Sequence, residues 1–241
     1  LALRQPLRAA LFSTGDEIAE PGRPLPAGAL YDANRFSVAA LLRAQGVAVT
    51  DLGILPDRRD AIATALAGAA AAHDLIVTTG GVSEGEEDHV KAAVTGPDGR
   101  AGQLHLWRLA IKPGRPVALG QVDRTAFVGL PGNPAAAVVT FVALVRPLLQ
   151  LLAGETPREP LAFPVEAAFA YRKKPDRQEW LRVFLQRAAD GRWQARKFPR
   201  EGAGILTSLS ETDGFAPLAE AVPDVRPGDR LDFIPYSEVL A

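Results

Sequence analysis

The chain has 241 residues, 27 Lys and Arg against 28 Asp and Glu, three His, 47% hydrophobic residues and no Cys or Met. That size and apolar content allow one large domain or two ordinary ones with real cores, and a net charge of −1 argues against a nucleic-acid footprint or a polybasic membrane surface. Without Cys there is no disulfide framework, thiolate metal site or Cys nucleophile, and His73, His89 and His105 lack the spacing of a helical metal-binding pair. No apolar run reads as the roughly 18 residues of a spanning helix, and no signal-peptide pattern opens the chain, so a cytoplasmic protein without membrane or nucleic-acid partners is expected. A chain that opens Leu-Ala-Leu-Arg with no Met anywhere is also expected to be a fragment.

In chain order, residues 7–13 (LRAALFS) read as a short buried strand ending at Thr14-Gly15. Asn34 is placed to cap a helix whose Val38, Leu41 and Leu42 recur at helical spacing. Residues 47–53 read as a strand, the Ala-rich stretch 58–72 as a helix, and residues 74–79 (DLIVTT) as a buried strand stopping at Gly80-Gly81. Residues 86–94 begin with acids, as a helix start does. Strands are predicted at 104–109, 117–120 and 126–129. A long apolar helix then opens at Pro134 and runs to about Leu152, with Pro147 expected to kink or break it. Alternating strand–helix units of this length predict an α/β fold, a three-layer mostly parallel sheet over residues 1–153. After the Pro- and Glu-rich stretch 153–160 the period changes to two: residues 161–171 alternate as one half-buried strand. Further short strands around 180–185, 193–198, 215–222 and 231–236 predict a small all-β domain over residues 154–241.

In open α/β sheets ligands bind beyond the carboxyl ends of the strands, and four such ends carry unusual chemistry here: Ser13–Glu17, Leu55-Pro56-Asp57, residues 78–85 (TTGGVSEG) and residues 130–134 (LPGNP). The Gly80-Gly81 loop, with Thr79 and Ser83, either cradles an anion with backbone amides and hydroxyls or is an ordinary βα turn. Asp16, Glu17, Glu84, Glu86, Glu87 and Asp88 crowd the same edge as helix-start charges or as oxygen ligands for a divalent cation. Asp16 and Asp88 are less well explained by helix starts, and Asp57 reads as either a cap or a functional carboxylate. Lys112 and Arg115, in residues 112–116 (KPGRP), are solvated turn charges or an oxyanion site. In LPGNP, Pro131 and Pro134 stiffen a loop around Gly132 and Asn133 that leaves helix amides exposed.

Together and in this order, residues 13–17 (STGDE), 31–35 (YDANR), 51–54 (DLGI) with Asp57, 79–85 (TGGVSEG) with Asp88 and Lys91, KPGRP and LPGNP resemble the molybdopterin molybdenumtransferase family of molybdenum-cofactor synthesis. The resemblance implies a Mg2+-assisted reaction in which adenylylated molybdopterin and molybdate give Mo-molybdopterin and AMP. It implies Asp57, Asp88 and Glu17 as catalytic residues and Asp16, Asp57 and Asp88 as cation ligands. Thr79, Gly80, Gly81, Ser83, Lys112, Arg115, Pro131, Gly132, Asn133 and Pro134 are implied to hold the cofactor substrate and molybdate. It implies a homodimer in the full-length protein, contacts with other cofactor-synthesis proteins, and two N-terminal domains that this chain lacks, so that the chain binds ligand and turns over poorly. Glu84 departs from the small or apolar residue usual between Ser83 and Gly85. Arg177, Arg182 and Ser208 lie in segments resembling family motifs and are read here as β-surface residues. The rival readings are a molybdopterin adenylyltransferase, whose fold has no β tail, and a non-catalytic pterin-binding or scaffold module.

Overall fold

The computed structural model describes residues 4–81, 89–96 and 102–240. Its first half is organised by the strand Arg8–Thr14. Successive side chains of a strand point to opposite faces, so Ala9 and Leu11 enter one apolar cluster while Ala10 and Phe12 enter another, all four fully buried. A strand buried on both faces needs cover on both sides. Helices Asn34–Ala44 and Pro134–Leu152 supply one layer, Arg59–Ala70 and His89–Thr95 the other. The three-layer α/β architecture expected from the sequence is therefore the one observed.

Six strands form the sheet, in the spatial order Ala48–Leu55, Arg8–Thr14, Leu75–Thr79, Thr125–Leu130, Pro116–Val122 and Gly102–Arg108. The first four are mutually parallel and the last two join antiparallel. The cause is local: two residues connect Val122 to Thr125, with Asp123 in the left-handed region (φ 51°). That length closes a hairpin and excludes a crossover.

The helix Pro134–Leu152 corrects one expectation and narrows another. At 19 residues and a mean hydropathy of 2.0 it is long and apolar enough, by length and composition alone, to cross a membrane. Its apolar side chains instead pack into the sheet: Val138, Val139, Phe141, Val142, Val145 and Leu149 belong to the same cluster as Leu11 and Val77. Pro147 does not break it. The helix widens to a π turn over Phe141–Val145 and continues, and the looser i→i+5 spacing accommodates the ring and the missing amide.

In the second half, the strands Phe163–Ala167, Gln178–Arg187, Trp193–Lys197, Gly214–Leu218 and Arg230–Pro235 pair into a ring, because Trp193–Lys197 meets both Phe163–Ala167 and Gln178–Arg187. Residues 161–171 are not one strand. The first piece ends at Ala167, and Tyr171–Arg172 pairs separately with Asp224–Val225. The period of two survives the bend because Phe169 and Tyr171 pack on the same cluster as Val165 and Ala167. A strand not anticipated, Ile111–Lys112, leaves the α/β half and joins this second sheet, parallel to Gln178-Glu179. The first apolar cluster likewise continues into Trp180, Phe215, Ile234 and Val239, with Trp180 and Phe215 edge to face at 5.4 Å.

A buried charge network pins the start of the first helix. Arg35, whose side chain is 4% exposed, pairs with Asp32 at 3.0 Å and with Asp51 and Glu20 at 2.5 Å each. Most of the YDANR and DLGI motifs thus serves this junction. Asn34 is no cap: it is the first helical residue, and its amide donates to the Gly132 carbonyl at 2.6 Å, tying the helix to the LPGNP loop. Burial acts to lower the Arg35 pKa and raise that of Asp51. Their mutual hydrogen bond and charge outweigh it, holding Arg35 above and Asp51 below its ordinary value. Arg35→Met, which strands the buried Asp32, is expected to lower stability by about 3 kcal/mol in urea unfolding. Because the folded-state pKa of Asp51 is depressed, its stabilisation is present above the ordinary carboxylate pKa and lost as pH falls through the folded value. The variant should therefore lose stability less steeply on acidification than the wild type.

Candidate functional site

The sheet brings the four expected loops to one edge. The ladder pairs Thr14 with Leu55, Ser13 with Thr79, and Thr79 with Leu130, so Asp16, Asp57, Gly80 and Pro131 follow neighbouring strand ends. Hydrogen bonds link these ends. The Ser13 and Thr79 hydroxyls meet at 2.6 Å, the Thr14 hydroxyl donates to Asp57 Oδ1 at 3.2 Å, and the Gly80 amide donates to the Leu130 carbonyl at 3.2 Å. Gly80 (φ 88°) and Gly81 (φ 65°) adopt a left-handed backbone. A Cβ on Gly80 would stand 2.7 Å from the Thr14 carbonyl oxygen, and one on Gly81 2.6 Å from Val90. Both conformation and crowding thus require glycine.

Beyond this edge, between the α/β half and the β ring, lies a cavity of about 650 Å3. Of the residues anticipated, Glu17, Gly80, Gly81, Lys112, Arg115, Pro131, Gly132 and Asn133 line it. Thr79 and Pro134 stand behind the wall. The Thr79 hydroxyl, anticipated as a ligand donor, is buried against Ser13. Asp16 is exposed and Asp57 half-buried beside Thr14, both outside the lining. Ser83, Glu84, Glu86, Glu87 and Asp88 lie outside the described residues. The helix amides expected to be exposed after LPGNP are partly engaged, since the Ala135 amide donates to the Ala203 carbonyl at 2.9 Å.

Half of the wall comes from the β ring, which sequence reasoning left without a role at the site. Tyr171, Glu179, Arg182, Lys197, Arg200 and Glu201 all line the cavity. Glu179 is the anchor of this wall: its side chain is 1% exposed, and both oxygens are engaged. Oε1 accepts from Arg177 Nε at 2.8 Å and pairs with its Nη2 at 2.6 Å. Oε2 accepts from the Tyr171 hydroxyl at 2.6 Å and lies 3.3 Å from Lys112 Nζ. Lys112 Nζ also donates to the Tyr171 hydroxyl at 3.2 Å. Burial raises the Glu179 pKa, but the hydrogen bonds from Tyr171 and Arg177 and the nearby Lys112 hold it below the usual range. Burial and the Glu179 carboxylate push Tyr171 upward, keeping its hydroxyl protonated.

The β-surface reading of Arg177, Arg182 and Ser208 is therefore corrected. Ser208 is fully buried. Arg177 holds Glu179, and Arg182 reaches the cavity with Nε donating to Ser208 Oγ at 3.2 Å and Nη2 to the Gly202 carbonyl at 3.1 Å. Burial pulls the Arg182 pKa below its ordinary value. The net result is a concave site lined by the cations Lys112, Arg115, Arg182, Lys197 and Arg200 and the carboxylates Glu17, Glu179 and Glu201. Among the described residues no three His, Asp or Glu side chains gather as a metal cluster.

Comparison with known proteins shows what the chain is similar to. Residues 10–151 match the family described as "Probable molybdopterin binding domain" and residues 164–236 the family described as "MoeA C-terminal region (domain IV)". A molybdopterin molybdenumtransferase of Haemophilus influenzae is 35% identical over 235 residues, covering 97% of this chain and 57% of that protein. Molybdopterin molybdenumtransferase 2 of Mycobacterium tuberculosis is 33% identical, with 93% and 55% covered. Two solved structures of the molybdopterin biosynthesis MoeA protein from Pyrococcus horikoshii share the fold, with TM-scores of 0.77 and 0.73. They are 24% and 20% identical to this chain, cover 96% of it, and are themselves covered to 55% and 54%. The chain thus spans about half the length of the curated relatives it matches.

Two variants probe the geometry. Glu179→Ala, which leaves Arg177 and Lys112 without their buried acceptor, is expected to cost about 3 kcal/mol, and Tyr171→Phe about 1 kcal/mol, in thermal or urea unfolding. Gly80→Ala should cost about 2 kcal/mol through the left-handed backbone and the Thr14 carbonyl contact, read by the same denaturation.

Proposed function

Since the chain belongs to the family that joins a molybdopterin-binding domain to a MoeA C-terminal region, we propose that it serves molybdenum-cofactor synthesis as a molybdopterin molybdenumtransferase. In this reading adenylylated molybdopterin and molybdate give Mo-molybdopterin with release of AMP. The observation that carries it is that Lys112, Arg115 and Arg182 line one cavity together with the glycine-rich strand ends. Residues 1–153 are the pterin-binding unit, and residues 154–241 supply the other wall.

Molybdate is a tetrahedral dianion, and the Lys112 ammonium and Arg115 guanidinium give it compensating charge and directional donors. The turn at Gly80, Gly81 and Ser83 receives the pterin phosphate, with the Gly81 and Ser83 amides as its donors and Thr79 supporting the turn from behind, since a glycine loop lets amides approach an anion closely. The Pro131–Gly132–Asn133–Pro134 loop shapes the wall, held in place by Asn34. Glu17, Asp57 and Asp88 position the pyrophosphate for cleavage. No covalent intermediate is required, and rate enhancement comes from positioning and electrostatics.

For Mg2+, carboxylate oxygens at the strand ends are ligands of the kind the ion takes. Mg2+ is usually bound by one or two carboxylates together with substrate phosphates and several waters. Asp16 and Asp57 follow adjacent parallel strands, and the Thr14 hydroxyl orients Asp57; Asp88 completes the proposed set. When bound, the cation supplies charge neutralisation at the phosphates. The resemblance extends the proposal to a cytoplasmic homodimer that meets other cofactor-synthesis proteins. The adenylyltransferase reading gives no role to the cavity wall built by Tyr171, Glu179, Arg182 and Lys197, and the scaffold reading gives none to the acidic strand ends.

The full-length protein, given Mg2+, molybdate and adenylylated molybdopterin, is expected to release AMP in a molybdate-dependent manner, measured by chromatography. Asp57→Ala should lower that rate by about a hundredfold. No molybdate-dependent AMP release would overturn the reading, and an unaffected Asp57→Ala rate would overturn the role given to Asp57.

A further inference from the structure

Lys112 has two carboxylate partners of opposite character. Glu179 Oε2 lies 3.3 Å from its Nζ on a side chain 1% exposed, while Glu201 Oε2 lies 3.9 Å away on a side chain 59% exposed. Glu179 is locked by Arg177 and Tyr171. The other oxygen of Glu201 stands 3.5 Å from Lys197 Nζ, and both ammonium groups lie over the Tyr171 ring, Lys112 at 5.9 Å and Lys197 at 5.3 Å from its centre. One exposed carboxylate thus spans two cations on the cavity wall, as an anionic ligand would. Its neighbours repeat the pattern with carbonyls: Gly202 accepts from Arg182 at 3.1 Å, and Ala203 from the Ala135 amide at 2.9 Å. Residues 201–203 therefore satisfy, from within the chain, donors suited to an oxyanion.

We propose that Glu201 is an affinity-determining residue of this cavity, an internal competitor that an oxyanion displaces from Lys112 and Lys197 when it binds. This rests on the reading of the cavity as an oxyanion site. If only the fraction of molecules with Glu201 swung away can bind, the apparent affinity is reduced by that fraction. The reduction is then the same factor for every anion, whatever its charge. A carboxylate that stayed in place and merely repelled the ligand would instead penalise a dianion twice as strongly, in free energy, as a monoanion.

Molybdate and perrhenate, tetrahedral oxyanions of charge −2 and −1, separate the two cases. Their binding to the intact chain and to its Glu201→Gln variant is measured by titration calorimetry at constant ionic strength. Displacement predicts that the variant binds both anions more tightly by one common factor of about threefold, the size expected for partly exposed ion pairs. Unchanged or weaker binding in the variant overturns the proposal. So does a molybdate gain of about ninefold beside a perrhenate gain of about threefold, the signature of fixed repulsion. Failure of both proteins to bind either anion would instead remove the oxyanion reading of the cavity, and the proposal with it.

Discussion

The two-residue strand Ile111–Lys112 pairs with Gln178-Glu179 in a parallel register that sets Lys112 beside Glu179. Neighbouring strands stand about 4.8 Å apart, so this pairing alone brings the ammonium and the carboxylate within reach without help from a flexible loop. The cavity depends on it. One wall belongs to the strand ends of the α/β sheet and the other to the β ring, and the pairing gives the two a common frame. The residue after Glu179, Trp180, enters the apolar cluster of the first half, so polar registration and hydrophobic contact hold the junction at the same place.

A carboxylate as buried as Glu179 has a large desolvation cost that one salt bridge seldom recovers. Here it is offset by Arg177 on one oxygen and by Tyr171 and Lys112 on the other. Such an arrangement fixes geometry more than it adds stability, because removing any partner exposes the cost of the rest. The Arg35 network follows the same physics to a different end. Three carboxylates surround that guanidinium and its side chain is 4% exposed, so it joins three segments and presents no charge to the cavity. Lys112, with a side chain 38% exposed, lines the cavity instead.

What could be read from the sequence follows from the range of the interactions. The two-sided burial of Arg8–Thr14, the glycine-rich strand end and the cations of KPGRP depend on neighbours a few residues apart, and these were legible as elements and candidate site residues. The hairpin through Asp123 and the π turn before Pro147 were not, since each is a local backbone solution that overrides the simpler pattern around it. The second wall was hidden for a different reason. Tyr171, Lys197 and Glu201 are distant from Lys112 in the chain and share its cavity only through the fold, and no fixed spacing announces that meeting. Charged residues at such positions are indistinguishable in sequence from a solvated β surface, which is how Arg177 and Arg182 were read. Family resemblance marked their segments, and only the fold showed that they face inward.

The same contrast in burial bears on how a cationic cavity persists in a folded chain. Clustered cations repel one another, and donors cut off from water are costly unless they are bonded. The chain meets both constraints with its own groups, and it grades them. Glu179, screened from water, is the partner that does not exchange. Glu201 and the carbonyls of Gly202 and Ala203 come from a turn with Gly202 in a left-handed conformation (φ 137°), a segment with no regular strand hydrogen bonding to oppose its movement. A cavity satisfied throughout by buried groups would be stable and closed to ligands, while one with no internal partners would be open and strained by its own charge. Placing the deep acid on the strand and the shallow one on the turn lets one set of cations meet both demands.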